Sequence, residues 1–299
     1  MRLQPVIVPY RYDERDEGLG RGPGALVQSG LVETLQAAGH DVDNPVESVL
    51  TDEERTPGPV AINIGKLGAK TATLVADARR NGAGALILAG DDTAAIGAVA
   101  GLQQAAGAGA AIGIVWLDAH GDFNTPETTY SGILAGMPVA ILAGLAGPLW
   151  RGAAHLAAPI PTDRILIAGA RDLDEKESNL IRSTDVRLLT TDDIRSGDSL
   201  SKAVRRLAAS CELIYLHVDL DILDPSLVPS ASTPSATGLT VAEAAGAMGT
   251  VFATGLVAAA GIAGLNPGAG ARGERSTKST LELIEQALAT WSQTPGAAA

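Results

Sequence analysis

The feature that most constrains this chain is a series of short, almost wholly apolar runs, at 6–8, 85–88, 112–117, 165–168, 186–189, 213–218 and 256–262, each bounded by turn residues. Runs of this length, lacking the polar alternation of a half-exposed strand, describe β-strands buried on both faces. Between them lie segments whose apolar residues recur at helical spacing, at 26–38, 69–79, 94–105, 199–209, 241–252 and 280–291. Strand and helix in alternation demand parallel pairing through right-handed crossovers, with helices over both sheet faces. The expected fold class is α/β, a three-layer α/β/α arrangement around a mostly parallel sheet. No stretch reads as a linker, since 11–24 and 49–58 are polar or Gly/Pro-rich but short, and no repeat of fixed period occurs. One domain over 1–299 is the economical reading, with a frayed tail from Ser292 to Ala299.

Composition removes several classes of function. Three stretches, 93–117, 128–150 and 244–271, carry no charge and raise the question of a membrane span. They are rich in Ala and Gly and are interrupted by Gln103, Gln104, Pro138, Asn266 and Pro267, so each reads as a buried helix running into a buried strand. With 34 acidic against 22 basic residues the formal charge is −12, which gives no general attraction to nucleic acid or to an anionic membrane. The single cysteine, Cys211, can form no internal disulfide, and no CxxC pair is present. Charged Arg11, Asp13, Glu14 and Arg15 follow Met1 to Val8 too soon for a signal-peptide core, so a cytoplasmic protein is expected.

Chemistry concentrates where two apolar runs end. Trp116-Leu117-Asp118-Ala119-His120-Gly121-Asp122 sets Asp118, His120 and Asp122 at alternate positions, and alternate side chains of an extended chain share a face. His217-Val218-Asp219-Leu220-Asp221 repeats the design. Both clusters fall at the carboxyl ends of strands, where open α/β sheets place their sites. Carboxylates there are costly to ionise unless a cation, a partner charge or good hydrogen bonds compensate. Oxygen-rich ligation with one imidazole suits Mn²⁺, and two such ions sharing carboxylates form a common hydrolytic arrangement. A lone Asp-x-Asp is weak evidence, because Asp is common at strand ends and helix caps; two clusters after buried strands are much stronger. His217 reads more readily as a hydrogen-bonded core or supporting histidine than as a ligand. His40 and His155 read as solvated surface residues.

These residues resemble a family. Asp-Ala-His-Gly-Asp-Phe-Asn-Thr-Pro-Glu-Thr-Thr at 118–129, followed by Ser131-Gly132, is similar to the DAHxDxNTPxTTxSG signature of the ureohydrolases, the arginase, agmatinase and formimidoylglutamase superfamily. His-Val-Asp-Leu-Asp-Ile-Leu-Asp-Pro at 217–225, with Thr233-Pro234 and Gly238-Leu239-Thr240, is similar to its second signature. The resemblance implies two Mn²⁺ per subunit, bridged by Asp118 and Asp219, with His120 and Asp221 completing one ion and Asp122 serving the other. It implies a metal-bound hydroxide, held by Asp118 and Asp219, that attacks the central carbon of a guanidinium or amidine, and C–N cleavage to urea or a related amide and an amine. It implies further that Asn124 and Ser131 bind the amino-acid end of a small-molecule substrate, and that the loop bearing Asp174 and Glu177 receives an α-amino group. Asp174 and Glu177 read equally well as a helix cap and its capping-box partner. A homo-oligomer, trimer or hexamer, is also implied.

Three positions depart from the family pattern. The first metal-binding motif, Gly-Gly-Asp-His in the family, is Ala89-Gly90-Asp91-Asp92, so Asp92 takes the place of a histidine ligand and leaves its site more negative. Ala135 stands where arginases carry a proton-shuttling histidine, and Gly264 where a glutamate pairs with the substrate guanidinium. Two readings follow: a hydrolase of a less basic linear amidine such as an N-hydroxyguanidine, which the phrase at 121–129 also resembles, or a catalytically weakened homologue kept for a structural or regulatory role.

Overall fold

The structure, a computed structural model, describes residues 1–292, so the expected frayed tail falls, beyond Ser292, outside the described residues. Its frame is a nine-stranded sheet in which every pairing is parallel. In chain order the strands are β1 (Arg2–Val8), β2 (Asp41–Val42), β3 (Val46–Glu47), β4 (Gly84–Ala89), β5 (Ile112–Leu117), β6 (Ile165–Ala168), β7 (Arg187–Leu189), β8 (Leu213–Asp219) and β9 (Val257–Ala263). Across the sheet they run β2-β1-β4-β9-β8-β5-β6-β7, with β3 also paired to β1. Every apolar run of the sequence is one of these strands, and β4, β5 and β9 are buried at every residue.

Among the described residues eleven α-helices surround the sheet: α1 (Gly22–Gln28), α2 (Leu31–Ala37), α3 (Val60–Arg80), α4 (Ala95–Ala106), α5 (Pro138–Leu142), α6 (Pro148–Ala153), α7 (Glu175–Arg182), α8 (Thr191–Arg195), α9 (Asp198–Ala208), α10 (Val241–Phe252) and α11 (Ala271–Leu288). Alternate strand residues feed two cores. Leu86, Leu88, Val115 and Leu117 pack with Leu35, Val204, Met248 and Leu283 from α2, α9, α10 and α11. Ala85, Ile87, Ile114 and Trp116 pack on the opposite face with Leu67, Val99, Ile141 and Trp150 from α3 to α6. The three-layer α/β/α expectation holds. Among the described residues no helix is long and apolar enough to cross a membrane. Two charge-free stretches are a buried helix running into a buried strand, α4–β5 and α10–β9, but 128–150 is not: it is an irregular segment around the short helix α5, with no strand and with Tyr130, Ile133 and Leu149 exposed.

Connectivity locates the site. The chain leaves β4 through α4 and re-enters the sheet at β5, beyond the gap that β8 and β9 later fill. Ligands of open α/β sheets sit at such a change of direction, outside the strand carboxyl ends. Two local expectations are corrected. The single helix at 26–38 is two, α1 and α2, broken at Ser29–Gly30. His40 is not solvated but buried, its Nε2 2.8 Å from the Leu288 carbonyl near the end of α11, because the loop after α2 turns inward onto that helix. His155 is exposed, as expected.

Candidate metal centre

Three strands deliver the acids. Asp92 follows β4, Asp118, His120 and Asp122 follow β5, and Asp219 ends β8 with Asp221 one short turn beyond. Ligand-type atoms of Asp118, His120 and Asp221 lie within 4.8 Å of one another, as do those of Asp92, Asp118 and Asp122, so Asp118 is common to both groups. Asp219 lines the same cleft, and its Oδ1 accepts the Asp221 backbone N–H at 2.8 Å. Of the adjacent pair after β4, Asp91 is already engaged: its carboxylate accepts the Tyr12 N–H at 2.6 Å and the Thr93 N–H at 3.0 Å. That leaves Asp92 to face the cluster.

The electrostatics are those of an acid-rich pocket with one local cation. Burial, with Asp221 close by, raises Asp92 and Asp118 above the usual carboxylate range, and burial beside neighbouring carboxylates raises Asp122 and Asp219 well above it. Burial opposes the charge on His120, but bonds to Asp118 Oδ1 at 3.3 Å and Asp221 Oδ2 at 3.1 Å outweigh it and hold the imidazole at about 11. Burial also opposes the charge on Asp221, yet His120 and its other donors keep it low; Thr233 Oγ1 adds a bond at 3.1 Å. No arginine or lysine side chain pairs with these carboxylates among the described residues.

Asp122 tests whether a cation fits. Among the described residues its Oδ2 is buried with no hydrogen-bond partner, a condition that costs free energy unless another group supplies one. Its backbone sits at φ 45°, in the left-handed region, held there by Val139 N–H donating to its carbonyl at 2.9 Å. A strained residue presenting an unsatisfied carboxylate oxygen beside two other carboxylates suits a hard divalent cation. The residues present fit such a group.

The acids open into a cleft of about 590 Å³ whose lining includes His120, Asp122, Asn124, Ser131, Asp174 and Glu177. Asn124 Nδ2 donates to Asp174 Oδ2 at 3.3 Å, and the Tyr130 N–H donates to the same oxygen at 3.2 Å, so Asp174 binds the 124–131 loop. Glu177 Oε2 accepts the Asp174 N–H at 3.3 Å as a capping-box residue would, while Oε1 accepts the Phe123 N–H at 2.9 Å, and burial raises its carboxyl to about 7. Cap and cleft wall are thus the same residues. Several lining residues were not singled out as site residues in the sequence, among them Arg11 and Tyr12, from a stretch that reads only as a polar loop, and Ser232 and Asn266. The one available signal was the pair of tight turns implied by Pro9 and Gly18 around Arg11 and Tyr12.

His217 is a supporting histidine. It is buried, stacks on Trp116 with ring centroids 3.6 Å apart, and bonds Asp92 at 2.9 Å, and its burial lowers it to about 3. Ala135 lines the cleft and offers no proton carrier. Gly264 has φ +92°, and a Cβ there would stand 2.5 Å from Asp219 Oδ1, so no side chain fits without displacing an acid of the cluster. Two other acids that could substitute for the missing glutamate, Glu243 and Glu274, are engaged elsewhere. Glu243 accepts the Thr240 N–H at 2.8 Å at the start of α10, and Glu274 lines a separate open cleft with Ala25 and Lys278.

Comparison with known proteins gives one answer. The sequence profile described as the arginase family matches residues 5–290. The chain is 30% identical over 297 residues to an arginase of Bacillus subtilis (strain 168), covering 96% of this chain and 97% of that protein. It is 30% identical to arginase-1 of Homo sapiens over 295 residues, 94% of this chain and 90% of the relative. The crystal structure of arginase from Bacillus subtilis superposes with a TM-score of 0.83 at 27% identity, covering 96% and 98% of the two chains.

Proposed function

Since the chain belongs to the arginase family, we propose that it is a manganese-dependent hydrolase of a non-peptide C–N bond in a linear amidine or guanidino compound. The observation that carries this reading is the clustering of Asp92, Asp118, His120, Asp122 and Asp221, with Asp92, His120, Asp122 and Asp219 lining one cleft and a buried Asp122 oxygen lacking a partner among the described residues. These six residues would hold two Mn²⁺, with Asp118, common to both groups, between them. Bound there, the ions supply Lewis acidity that makes water nucleophilic at neutral pH and offset the charge of the carboxylates.

The chain's own residues do the rest. Asn124 and Ser131 at the rim, with Arg11 across the cleft, suit the carboxylate of an amino-acid substrate, and Asp174 and Glu177 suit its α-amino group. Asp122, locked by its strained backbone, keeps its carboxylate fixed while substrate enters. With an alanine at 135 and no room for an acid at 264, the site lacks both a shuttle and a bidentate guanidinium anchor. That favours an N-hydroxyguanidine or another less basic amidine over arginine, because such a group holds its positive charge less tightly than a guanidinium and loses less without the anchor. The same absences are what the weakened-homologue reading rests on.

The experiment is chelation followed by Mn²⁺ reconstitution and a panel of N-hydroxy-L-arginine, L-arginine and agmatine, assayed by release of the amine. Restored turnover with kcat/KM highest for the N-hydroxyguanidine is expected. No turnover on any member at saturating Mn²⁺ favours the weakened homologue.

A further inference from the structure

We infer that His217 is a positioning residue of the metal centre, reaching across the intervening strand β9 to hold the Asp92 carboxylate in the orientation from which it ligates manganese. The inference rests on the two-manganese reading above and deepens it. Asp92 follows β4 and His217 lies on β8, and β9 runs between those strands. The β9 residue in register with His217 is Gly261, which is also paired with Ile87 of β4. A Cβ at Gly261 would stand 2.3 Å from Tyr215 Oη and 3.3 Å from His217 Nδ1, so any side chain there would collide with the pair. The absent side chain is the passage through which a β8 imidazole meets a β4 carboxylate.

The direction of each hydrogen bond follows from the groups available. Tyr215 Oη lies 3.0 Å from His217 Nδ1 and, among the described residues, bonds nothing else, so a buried hydroxyl proton has that nitrogen as its acceptor. A neutral imidazole accepting at Nδ1 carries its proton on Nε2, and Nε2 donates to Asp92 Oδ1 at 2.9 Å. Tyr215 thereby sets the tautomer, and the tautomer sets the bond to Asp92. Trp116 clamps the ring from one side, its plane 15° from that of His217, while its Nε1 donates to Asp118 Oδ2 at 2.9 Å. One aromatic residue therefore ties the supporting imidazole of Asp92 to the carboxylate common to both ligand groups. Tyr215, His217 and Trp116 are each at most 1% exposed, so water does not compete for these bonds. A histidine serving only as core filling would not need a vacated strand position, a dedicated hydroxyl and a ligand carboxylate in line.

The test uses the full-length protein, stripped by chelation and titrated with Mn²⁺ alone by calorimetry and by electron paramagnetic resonance. His217→Phe keeps a ring against Trp116 and removes the donor. It is expected to weaken one of the two manganese sites by about 10–100-fold and to abolish the spectrum of an exchange-coupled pair while the other ion still binds. His217→Gln, with an amide N–H in place of the imidazole donor, recovers part of that affinity, which a merely structural role would not produce. A folded His217→Phe that binds both ions as tightly as the parent, with the coupled spectrum intact, overturns the inference. Where His217→Phe does not fold, Tyr215→Phe decides: weakened binding at one site supports the assignment and unchanged binding overturns it. If the parent protein itself takes up fewer than two ions, the two-manganese reading fails and this inference with it, an outcome distinct from failure in the variants alone.

Discussion

Asp118 sits where both ligand groups overlap, and this gives it a different weight from its neighbours. Asp118→Ala is expected to lose tight binding of both ions and all turnover, measured as manganese per chain by elemental analysis after desalting; full metal content with full activity would show the centre to be elsewhere. Gly264 leads to an opposite kind of expectation. Gly264→Glu, which writes the family residue back, should not create arginine hydrolysis, because its Cβ would fall 2.5 Å from Asp219 Oδ1; a gain in kcat/KM for arginine would contradict this. Much at this scale was legible beforehand: Asp118, His120, Asp122, Asp219 and Asp221 all follow from alternate positions at the ends of apolar runs. The resemblance put Asp92 in the ligand's place, but no residue pattern says which of Asp91 and Asp92 faces the cluster, since that depends on Tyr12 and Thr93 claiming Asp91. His217 and Asp92 are 125 residues apart, and no local pattern announces that they touch.

Elements show the same division. The seven longer strands were readable because a strand covered on both faces needs an unbroken apolar run, whereas the two-residue strands β2 and β3 were too short to register; α10 begins at the Thr240–Glu243 capping box that its sequence displays. Short helices α5 and α6 were not, because five or six residues with a proline at the start carry too little periodicity to register. Their burial comes from tertiary packing of Val139, Ile141 and Trp150 against the sheet. Helix α7 joins element to site, since Glu177 closes its first turn and also accepts from Phe123. Glu177→Ala leaves the buried Phe123 N–H and the half-buried Asp174 N–H without their acceptors and is expected to destabilise the protein by about 1–2 kcal/mol in denaturant unfolding, and to raise KM by loosening the 122–124 segment. An unchanged unfolding midpoint and KM would reduce Glu177 to a bystander.

At the scale of the whole molecule, the acid cluster makes stability depend on pH and on metal together. Burial raises Asp91 to about 6 and Glu177 to about 7, and it raises the proposed carboxylate ligands other than Asp221 as well. In the unfolded chain these carboxyls release protons near pH 4, so between about pH 4 and pH 7 the native metal-free state holds protons that the unfolded state has lost. Stability therefore falls as pH rises through that window. His120, held at about 11 against an ordinary 6.5, acts in the same sense: its contribution is complete below 6.5 and is lost as pH climbs toward 11. The melting temperature of chelated protein is expected to fall from pH 5 to pH 8, and the rise on adding Mn²⁺ to grow over the same range, because the ion replaces protons; a manganese effect that shrinks with pH would oppose this account. We also expect a trimer or hexamer by light scattering, a monomer at micromolar concentration being the contrary result. The most direct test of the central claim is anomalous scattering from crystals grown with manganese. The account predicts two peaks per chain at the carboxyl ends of β4, β5 and β8, with Asp118 contacting both; no peak there, or a single peak that Asp118 does not touch, would contradict it.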